Sequence, residues 1–69
     1  MPTLHVELFA GRTIEQKRAL ARALTEATVN VLGGSPEAVE IIFSDVHKHD
    51  WASGGVLWSD KTASPAAQA

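Results

Sequence analysis

A strict alternation of hydrophobic and polar side chains opens the chain. Over residues 3–9 the period is two, which predicts a β-strand. The two faces of this strand carry Leu4, Val6 and Leu8 on one side and His5, Glu7 and Phe9 on the other. Residues 10–12, Ala-Gly-Arg, follow as a turn because the alternation stops at a glycine.

The pattern changes to that of an amphipathic helix over residues 14–32. Thr13 and Gln16 have the spacing of a capping box, and the segment is rich in Ala, Leu, Glu, Lys and Arg, which favour helix. One apolar stripe recurs at helical spacing, made of Leu20, Ala23, Leu24, Ala27 and Val31. We expect the charged positions to face solvent and Gly33 to end the helix.

Two more strands are predicted after the helix. Ser35 and Pro36 predict a short extra turn. Residues 39–46 are apolar on both faces, which indicates a strand buried on both sides. After a loop, residues 56–58 form a short third strand, half of a hairpin. The small and polar residues of 61–69 predict a disordered C-terminal tail.

The order of these elements predicts a small α/β (α+β) domain over residues 1–60, a β-α-β unit with a C-terminal short strand or hairpin. A helical crossover is right-handed, so the two long strands should be parallel. Two strands and one helix make a sheet too small to be stable alone. Because its edges are free to pair with another chain, we expect dimerisation to complete a four-stranded sheet.

Composition narrows the class of protein. A chain of 69 residues buries only about 60% of the surface that its unfolded form exposes. Since 45% of the residues are hydrophobic and none is cysteine, self-association rather than a disulfide should stabilise it. A net charge of −2, with both signs interspersed, argues against nucleic-acid binding. Neither a membrane span nor a signal peptide is indicated, so we expect a cytoplasmic protein.

Pro2 is the first candidate for chemistry. Removal of Met1 would leave Pro2 with a free secondary amine at the start of a strand. A free α-amino group has a pKa of about 7.7–8.0, and burial or a nearby cation favours its neutral form further. Such an amine can take a proton from carbon beside a carbonyl and return it elsewhere. The alternative is that Met-Pro is merely a permitted start.

Arg12 is the second candidate. A guanidinium holds a carboxylate in a two-point fork, and the positive end of the following helix adds to the attraction for an anion. The alternative is an exposed turn arginine without a ligand. Pro2 and Arg12 lie at opposite ends of a strand, roughly 20–25 Å apart at ~3.3 Å per residue. If both act on one ligand, Arg12 must come from a neighbouring subunit.

Three aromatic residues and a histidine pair complete the candidates. Trp51 is interpreted as a wall or lid of a pocket, and Phe9 as lining a cleft or an interface. Trp58 is expected to pack at a subunit interface. His47, His49 and Asp50 fall short of a metal site because a metal needs three or four convergent ligands. We therefore expect no bound metal.

Two stretches of the chain resemble the 4-oxalocrotonate tautomerase family over about residues 1–60. They are MPTLHVELFAGRTIEQKRALARALTEA and IIFSDVHKHDWASGGVLWSD. The shared features are the Met-Pro start, the Gly-Arg turn before a T-x-E-Q-K helix, and the W-x-x-GG segment. Each is weak alone, but their order and spacing make them specific.

The resemblance implies a β-α-β fold with a C-terminal hairpin, assembled as a hexamer of three dimers, and no cofactor. It implies that Pro2 moves a proton between positions of an unsaturated 2-oxo acid. It also implies that Arg12 binds the substrate carboxylate from a neighbouring subunit and that Trp51 forms the pocket wall. Phe9 takes the place of an aliphatic pocket residue.

Glu40 departs from that family pattern. The dicarboxylate tautomerases of the family carry a second arginine at the start of the second strand, where this chain has Glu40. A carboxylate there repels a substrate carboxylate and, close to the prolyl amine, stabilises its protonated form. We therefore expect Glu40 to modify the site and to favour a smaller monoacid over a dicarboxylate such as 2-hydroxymuconate.

The resulting hypothesis is a cofactor-independent tautomerase that acts on a 2-oxo acid or its enol. One alternative is that the same amine serves decarboxylation, hydration, dehalogenation or iminium chemistry. Another is a non-catalytic subunit of a mixed oligomer, whose other chain supplies the missing arginine.

Overall fold

Two parallel strands form the sheet of the computed structural model, which describes residues 2–61. Strand β1 spans Thr3–Phe9 and strand β2 spans Glu40–Val46, with Thr3 opposite Glu40 and Phe9 opposite Val46. The ladder continues at both ends. The Glu40 N–H donates to the Pro2 carbonyl at 3.0 Å, and the Ala10 N–H donates to the Val46 carbonyl at 2.9 Å. The β-α-β unit with parallel strands is confirmed.

Helix α1 spans Ile14–Leu32, the segment that the sequence predicts. Its capping box is formed by two reciprocal bonds. The Gln16 N–H donates to Thr13 Oγ1 at 3.1 Å, and the Thr13 N–H donates to Gln16 Oε1 at 3.0 Å. The helix ends at Gly33, whose positive φ of 81° suits a residue without a Cβ. Local chemistry therefore fixes both ends of α1.

The face that α1 turns towards the sheet differs from the predicted stripe. The half-buried positions of α1 are Lys17, Ala21, Leu24, Thr25, Thr28 and Val29. Of the predicted stripe only Leu24 belongs to this set, while Leu20 is 38% and Val31 is 81% exposed. The observed face has the same period but is rotated around the helix, so that Ala21 and Leu24 are half-buried while Leu20 and Val31 are exposed. Apolar surface is thus left uncovered beside the packed face.

An ion pair joins the first turns of α1 to β2. Lys17 Nζ donates to Asp45 Oδ2 at 2.7 Å, with the two side chains 26% and 45% exposed. A pair with this exposure contributes at most about 1 kcal/mol. Its main effect is to orient the start of α1, and therefore the turn before it, over the sheet.

The C-terminal part is a hairpin flanked by short helices. After a 3₁₀ turn at Pro36–Ala38, the remaining elements are a 3₁₀ turn (Lys48–Asp50), β3 (Ala52–Ser53), β4 (Val56–Leu57) and α2 (Trp58–Lys61). β3 and β4 pair antiparallel, so the predicted hairpin is confirmed, with its first strand inside the segment predicted as a loop. Trp58 begins α2 instead of ending a strand. Lys61 ends α2, and the rest of the predicted tail, 62–69, lies outside the described residues.

The predicted short turn is present and is capped by Ser35. Ser35 Oγ accepts from the Glu37 N–H at 3.3 Å, and the hydroxyl also bonds the Glu37 carboxylate. The hydroxyl of Ser35, and then the backbone N–H of Glu37, lower the pKa of the Glu37 carboxyl below its ordinary value.

Burial within one chain is incomplete. Among residues 2–61 no hydrophobic or polar residue is fully buried. Ile42, on the face of β2 that points away from α1, is 52% exposed. The expectation that β2 is buried on both faces is therefore wrong for the single chain, because α1 covers only one side of the sheet. No helix in this part of the chain is both long enough and apolar enough to cross a membrane.

The capping box predicts the effect of a substitution at Thr13. Thr13→Ala removes the acceptor of the Gln16 N–H, and loss of such a cap costs about 1 kcal/mol. Urea denaturation at one fixed protein concentration should show that loss, while Thr13→Ser retains the hydroxyl and should match the parent. Equal stability of Thr13→Ala and the parent would contradict the role of the cap.

Candidate active site

Pro2 and Glu40 are neighbours at one edge of the sheet. Pro2 is half-buried, directly before β1, and its carbonyl accepts the Glu40 N–H at 3.0 Å. Glu40 begins β2 and is exposed. Because parallel strands start at the same edge, their pairing alone brings the backbone of Glu40 to the residue that the sequence predicts as the base, while the Glu40 side chain is in register with Thr3.

Arg12 lies at the opposite edge, in the turn between β1 and α1. Gly11 has a φ of 118°, a conformation that glycine favours, and it starts the reversal that carries Arg12 over the sheet. Arg12 is exposed and has no hydrogen bond or ion pair within residues 2–61. A cavity of about 330 Å³ lies beside it, lined by Val6, Leu8, Arg12, Gln16, Lys17 and Leu20. Lys17 is paired with Asp45, so the Arg12 guanidinium is the cation of this cavity that is available to an anion.

The three aromatic residues form one cluster at the same end of β1 as Arg12. The Phe9 ring lies 4.8 Å from the Trp51 ring and 5.4 Å from the Trp58 ring, measured between centroids, in tilted and edge-to-face arrangements. Such pairs are favourable beyond their buried area. The predicted pocket walls Phe9 and Trp51 are therefore in contact. Trp58, expected at a subunit interface, packs against Phe9 of its own chain.

The hairpin holds the two tryptophans in place. The Trp58 N–H donates to the Trp51 carbonyl at 2.8 Å, and Trp58 Nε1–H donates to Ser53 Oγ at 3.2 Å. The hairpin thus returns the chain to the end of β1. A rigid apolar wall results, although β3 and β4 have only two residues each.

Two lysines that the sequence analysis did not single out flank this cluster. Lys48 Nζ lies 5.8 Å from the Phe9 ring centroid, and Lys61 Nζ lies 4.7 Å from that of Trp58. Both distances are typical of cation–π contacts. Lys61 follows Trp58 by three residues, about one helical turn, so the spacing in the sequence could have predicted their contact. The contact between Lys48 and Phe9 has no such spacing in the sequence and depends on the tertiary fold.

The histidines form contacts but no metal site. The rings of His47 and His49 stack at 5.2 Å, and His49 Nε2 lies 3.5 Å from Asp50 Oδ2. His5 Nε2 and Ser44 Oγ share a hydrogen bond of 2.7 Å on the open face of the sheet. Within the described part of the chain, no three His, Asp or Glu side chains converge enough to hold a metal ion.

The candidate residues therefore separate into two groups. Pro2 and Glu40 lie where β1 begins, and Phe9, Arg12 and Trp51 lie where it ends. β1 has seven residues, which corresponds to about 20–25 Å at about 3.3 Å per residue. The first end has the Pro2 ring and the exposed Glu40, and the other end has the Arg12 guanidinium at one cavity and the aromatic cluster at another. No small ligand can touch both groups of one chain.

Comparison with known protein families places the chain among the tautomerases. The sequence profile of the Tautomerase family, described as "Tautomerase enzyme", matches residues 2–61. A "Probable tautomerase" of Lactiplantibacillus plantarum is 38% identical over 63 residues, which are 91% of this chain and 98% of that protein. A "Probable tautomerase" of Ralstonia nicotianae is 32% identical over 65 residues, 94% of this chain and 100% of that protein.

Solved structures agree with this placement. A crystal structure of a 4-oxalocrotonate tautomerase homologue superposes with a TM-score of 0.80 at 47% identity, covering 87% of this chain and 95% of that one. The structure of TomN, a 4-oxalocrotonate tautomerase homologue in the tomaymycin biosynthetic pathway, superposes with a TM-score of 0.88 at 36% identity. The match covers 93% of this chain and 98% of that one. Since sequence and fold agree over most of its length, the chain belongs to the 4-oxalocrotonate tautomerase-like family and is an enzyme of the isomerase class, a tautomerase.

Proposed function

We propose that this enzyme interconverts the keto and enol forms of a 2-oxo acid without a cofactor, and that Pro2 is its general base and acid once Met1 is removed. The observation that supports Pro2 most directly is its anchoring. Its carbonyl is held by the Glu40 N–H at 3.0 Å, so the half-buried ring has a fixed position at the edge of the sheet. A proton-transfer group must be held in this way to reach a reacting carbon reproducibly.

The proposed chemistry requires the Pro2 amine to be unprotonated when it acts as the base. In the direction of enolisation, the Pro2 nitrogen takes a proton from the carbon beside the carbonyl, and the C–H electron pair forms the carbon–carbon double bond of the enol while the carbonyl oxygen gains a proton from solvent. In ketonisation the protonated amine returns the proton to carbon, and the enol hydroxyl loses its own to solvent. A positioned general base of this kind contributes about 10²–10⁴-fold to the rate.

Arg12 orients the substrate in this proposal. Its guanidinium has no partner within residues 2–61 and borders a cavity of about 330 Å³, so binding a carboxylate breaks no existing ion pair. The N-terminus of α1 adds positive potential. Phe9 and Trp51 form an aromatic cluster at the same end of β1, outside the residues that line this cavity.

Two chains build each site. Because Pro2 and Arg12 lie at opposite ends of β1, Arg12 of one subunit must serve Pro2 of another. The incomplete burial supports assembly: Ile42 is 52% and Val31 is 81% exposed in the single chain. We propose a homo-oligomer in which dimerisation extends the sheet to four strands, with a hexamer of three dimers as the full assembly. The cytoplasmic location stays a prediction.

A second reaction class has one observation in its favour. Glu40 is bonded to Pro2 through its backbone, its exposed carboxylate has no ion pair within residues 2–61, and a carboxylate can activate water for hydration or dehalogenation. The neutral amine can also attack a carbonyl to form an iminium, as a step in decarboxylation. Borohydride reduction followed by mass spectrometry separates these reactions, because only an iminium leaves a permanent adduct on Pro2.

Retention of Met1 should abolish the activity. Met1-retaining protein, made with methionine aminopeptidase inhibited, has no free prolyl nitrogen and should ketonise phenylenolpyruvate at least about 100-fold more slowly than the processed form. Trimming the same sample with purified aminopeptidase should restore the rate, which is the matched control. Pro2→Ala keeps a primary amine and should retain partial activity. Equal rates for the two forms, with equal assembly by size-exclusion chromatography, would refute the proposal.

Substitution of Arg12 should weaken substrate binding. Arg12→Ala removes a charged hydrogen-bond donor, which costs about 1.5–3 kcal/mol and so raises KM about 10–150-fold, with a smaller effect on kcat. Arg22→Ala is the matched control, because Arg22 is exposed on α1 and also lacks an ion pair within the described chain. The same KM for both variants in steady-state kinetics would contradict the role of Arg12.

A further inference from the structure

Arg12 lies in a segment that is attached to β2 at two points. The Ala10 N–H donates to the Val46 carbonyl at 2.9 Å, and Lys17 Nζ donates to Asp45 Oδ2 at 2.7 Å. The two attachment points on β2 are therefore neighbouring residues. Arg12 lies between the two attached residues of its own segment, and its side chain has no hydrogen bond or ion pair within residues 2–61. Its position therefore depends on how the segment around it is held.

The attachment at Ala10 does not by itself fix the direction in which the chain continues. Gly11 follows with a φ of 118°, in the region that favours glycine. A Cβ at Gly11 would meet no atom of the described chain within 4 Å beyond its immediate neighbours. Packing therefore does not restrain the backbone at this position, and the start of α1 needs a second attachment.

Lys17 supplies that second attachment. Of residues 12–20 it alone is half-buried, and the next half-buried position of α1 is Ala21. Within residues 2–61, its bond to Asp45 is the only side-chain hydrogen bond or ion pair between α1 and the β1–β2 sheet. An ion pair that adds little to stability can still favour one arrangement of the elements that it joins. The pair therefore sets the direction of the first turns of α1.

The capping box connects this ion pair to Arg12. Thr13 and Gln16 bond each other reciprocally, and the Lys17 N–H donates to the Thr13 carbonyl at 3.1 Å. Residues 13–17 are thus one hydrogen-bonded unit, and Arg12 directly precedes it. Arg12 and Lys17 also border the same cavity of about 330 Å³. A rotation of this unit about Gly11 changes where the guanidinium lies relative to a ligand in that cavity.

We propose, on the basis of the proposed function, that Lys17 and Asp45 are positioning residues for substrate binding. Their ion pair holds the start of α1 in the orientation in which Arg12 meets the substrate carboxylate. The pair acts through Arg12, because Asp45 occupies the Lys17 ammonium and leaves the guanidinium to bind the anion. Hydrogen bonds between charged groups need a suitable distance and angle, so a displaced guanidinium binds the carboxylate less well.

Steady-state kinetics with phenylenolpyruvate on the processed, full-length protein test this role. Asp45→Asn and Lys17→Met each break the ion pair and should raise KM about 3–10-fold, while kcat changes less than about twofold. Because both substitutions remove the same interaction, the double variant should have the same KM as either single variant. Asp45→Glu keeps the carboxylate and should retain most of the parental affinity.

Glu15→Gln is the matched control for the loss of an ion pair. It breaks the pair between Arg18 and Glu15, which lies within α1 and does not reach the sheet. Its KM should equal that of the parent. If Lys17 and Asp45 only stabilised the fold, Asp45→Asn would lower the midpoint of urea denaturation and leave KM unchanged, and this result would overturn the inference.

The Arg12→Ala background shows whether the pair acts through Arg12. In this background Asp45→Asn should leave KM unchanged, because the side chain that the pair positions is absent. A further increase as large as that in the parent background would overturn the inference. A rise in KM for Lys17→Met without one for Asp45→Asn would also overturn it, since Lys17 would then bind the substrate directly.

The outcomes for this ion pair are distinct from those for the proposed function. If Arg12→Ala raises KM and the ion-pair variants do not, the positioning role is overturned while carboxylate binding by Arg12 stands. If Arg12→Ala itself leaves KM at the parental value, the proposed role of Arg12 is overturned and the positioning role with it. Undiminished turnover by the Met1-retaining protein overturns catalysis by Pro2.

Discussion

The parallel pairing of β1 and β2 is the constraint on which the rest of the structure depends. Backbone hydrogen bonds at both ends of the ladder fix its register, from the Pro2 carbonyl at one edge to the Val46 carbonyl at the other. A slip by one residue would turn every side chain of the slipped strand to the other face of the sheet. The same pairing that brings Glu40 to Pro2 therefore keeps Arg12 a full strand length away. Backbone geometry, rather than any side chain, therefore prevents one chain from bringing its own Pro2 and Arg12 to the same small ligand.

The sequence predicts the features that depend on local chemistry. Strand 3–9 and helix 14–32 follow from their periods, and the Thr13 cap follows from spacing alone, because each needs only neighbouring residues. The face of α1 that packs on the sheet could not be chosen in advance. The half-buried face includes Lys17, Thr25 and Thr28, so apolar periodicity favours the stripe that includes Val31, and only the tertiary fold selects the face that is observed.

The candidate site also combines features that the sequence indicates with features that depend on the tertiary fold. Phe9 and Trp51 could be named from residue type and resemblance, but their contact depends on a hairpin whose strands have two residues each. Strands of two residues are too short to show a hydrophobic period in the sequence. Tertiary contacts with the end of β1 decide whether they form. Lys48 enters the cluster for the same reason. The proximity of Glu40 to Pro2, by contrast, follows once the two strands are known to be parallel.

Subunit mixing tests the central claim, that each site combines Pro2 of one chain with Arg12 of another. Met1-retaining chains and Arg12→Ala chains should each have little or no activity alone. The two are unfolded together, refolded as mixed oligomers and assayed with phenylenolpyruvate. If the site is shared, random mixing at equal amounts restores about a quarter of the parental activity, because some sites then combine an intact Pro2 with an intact Arg12. Activity that stays at the average of the two separate proteins, in oligomers shown by native mass spectrometry to be mixed, would contradict the account.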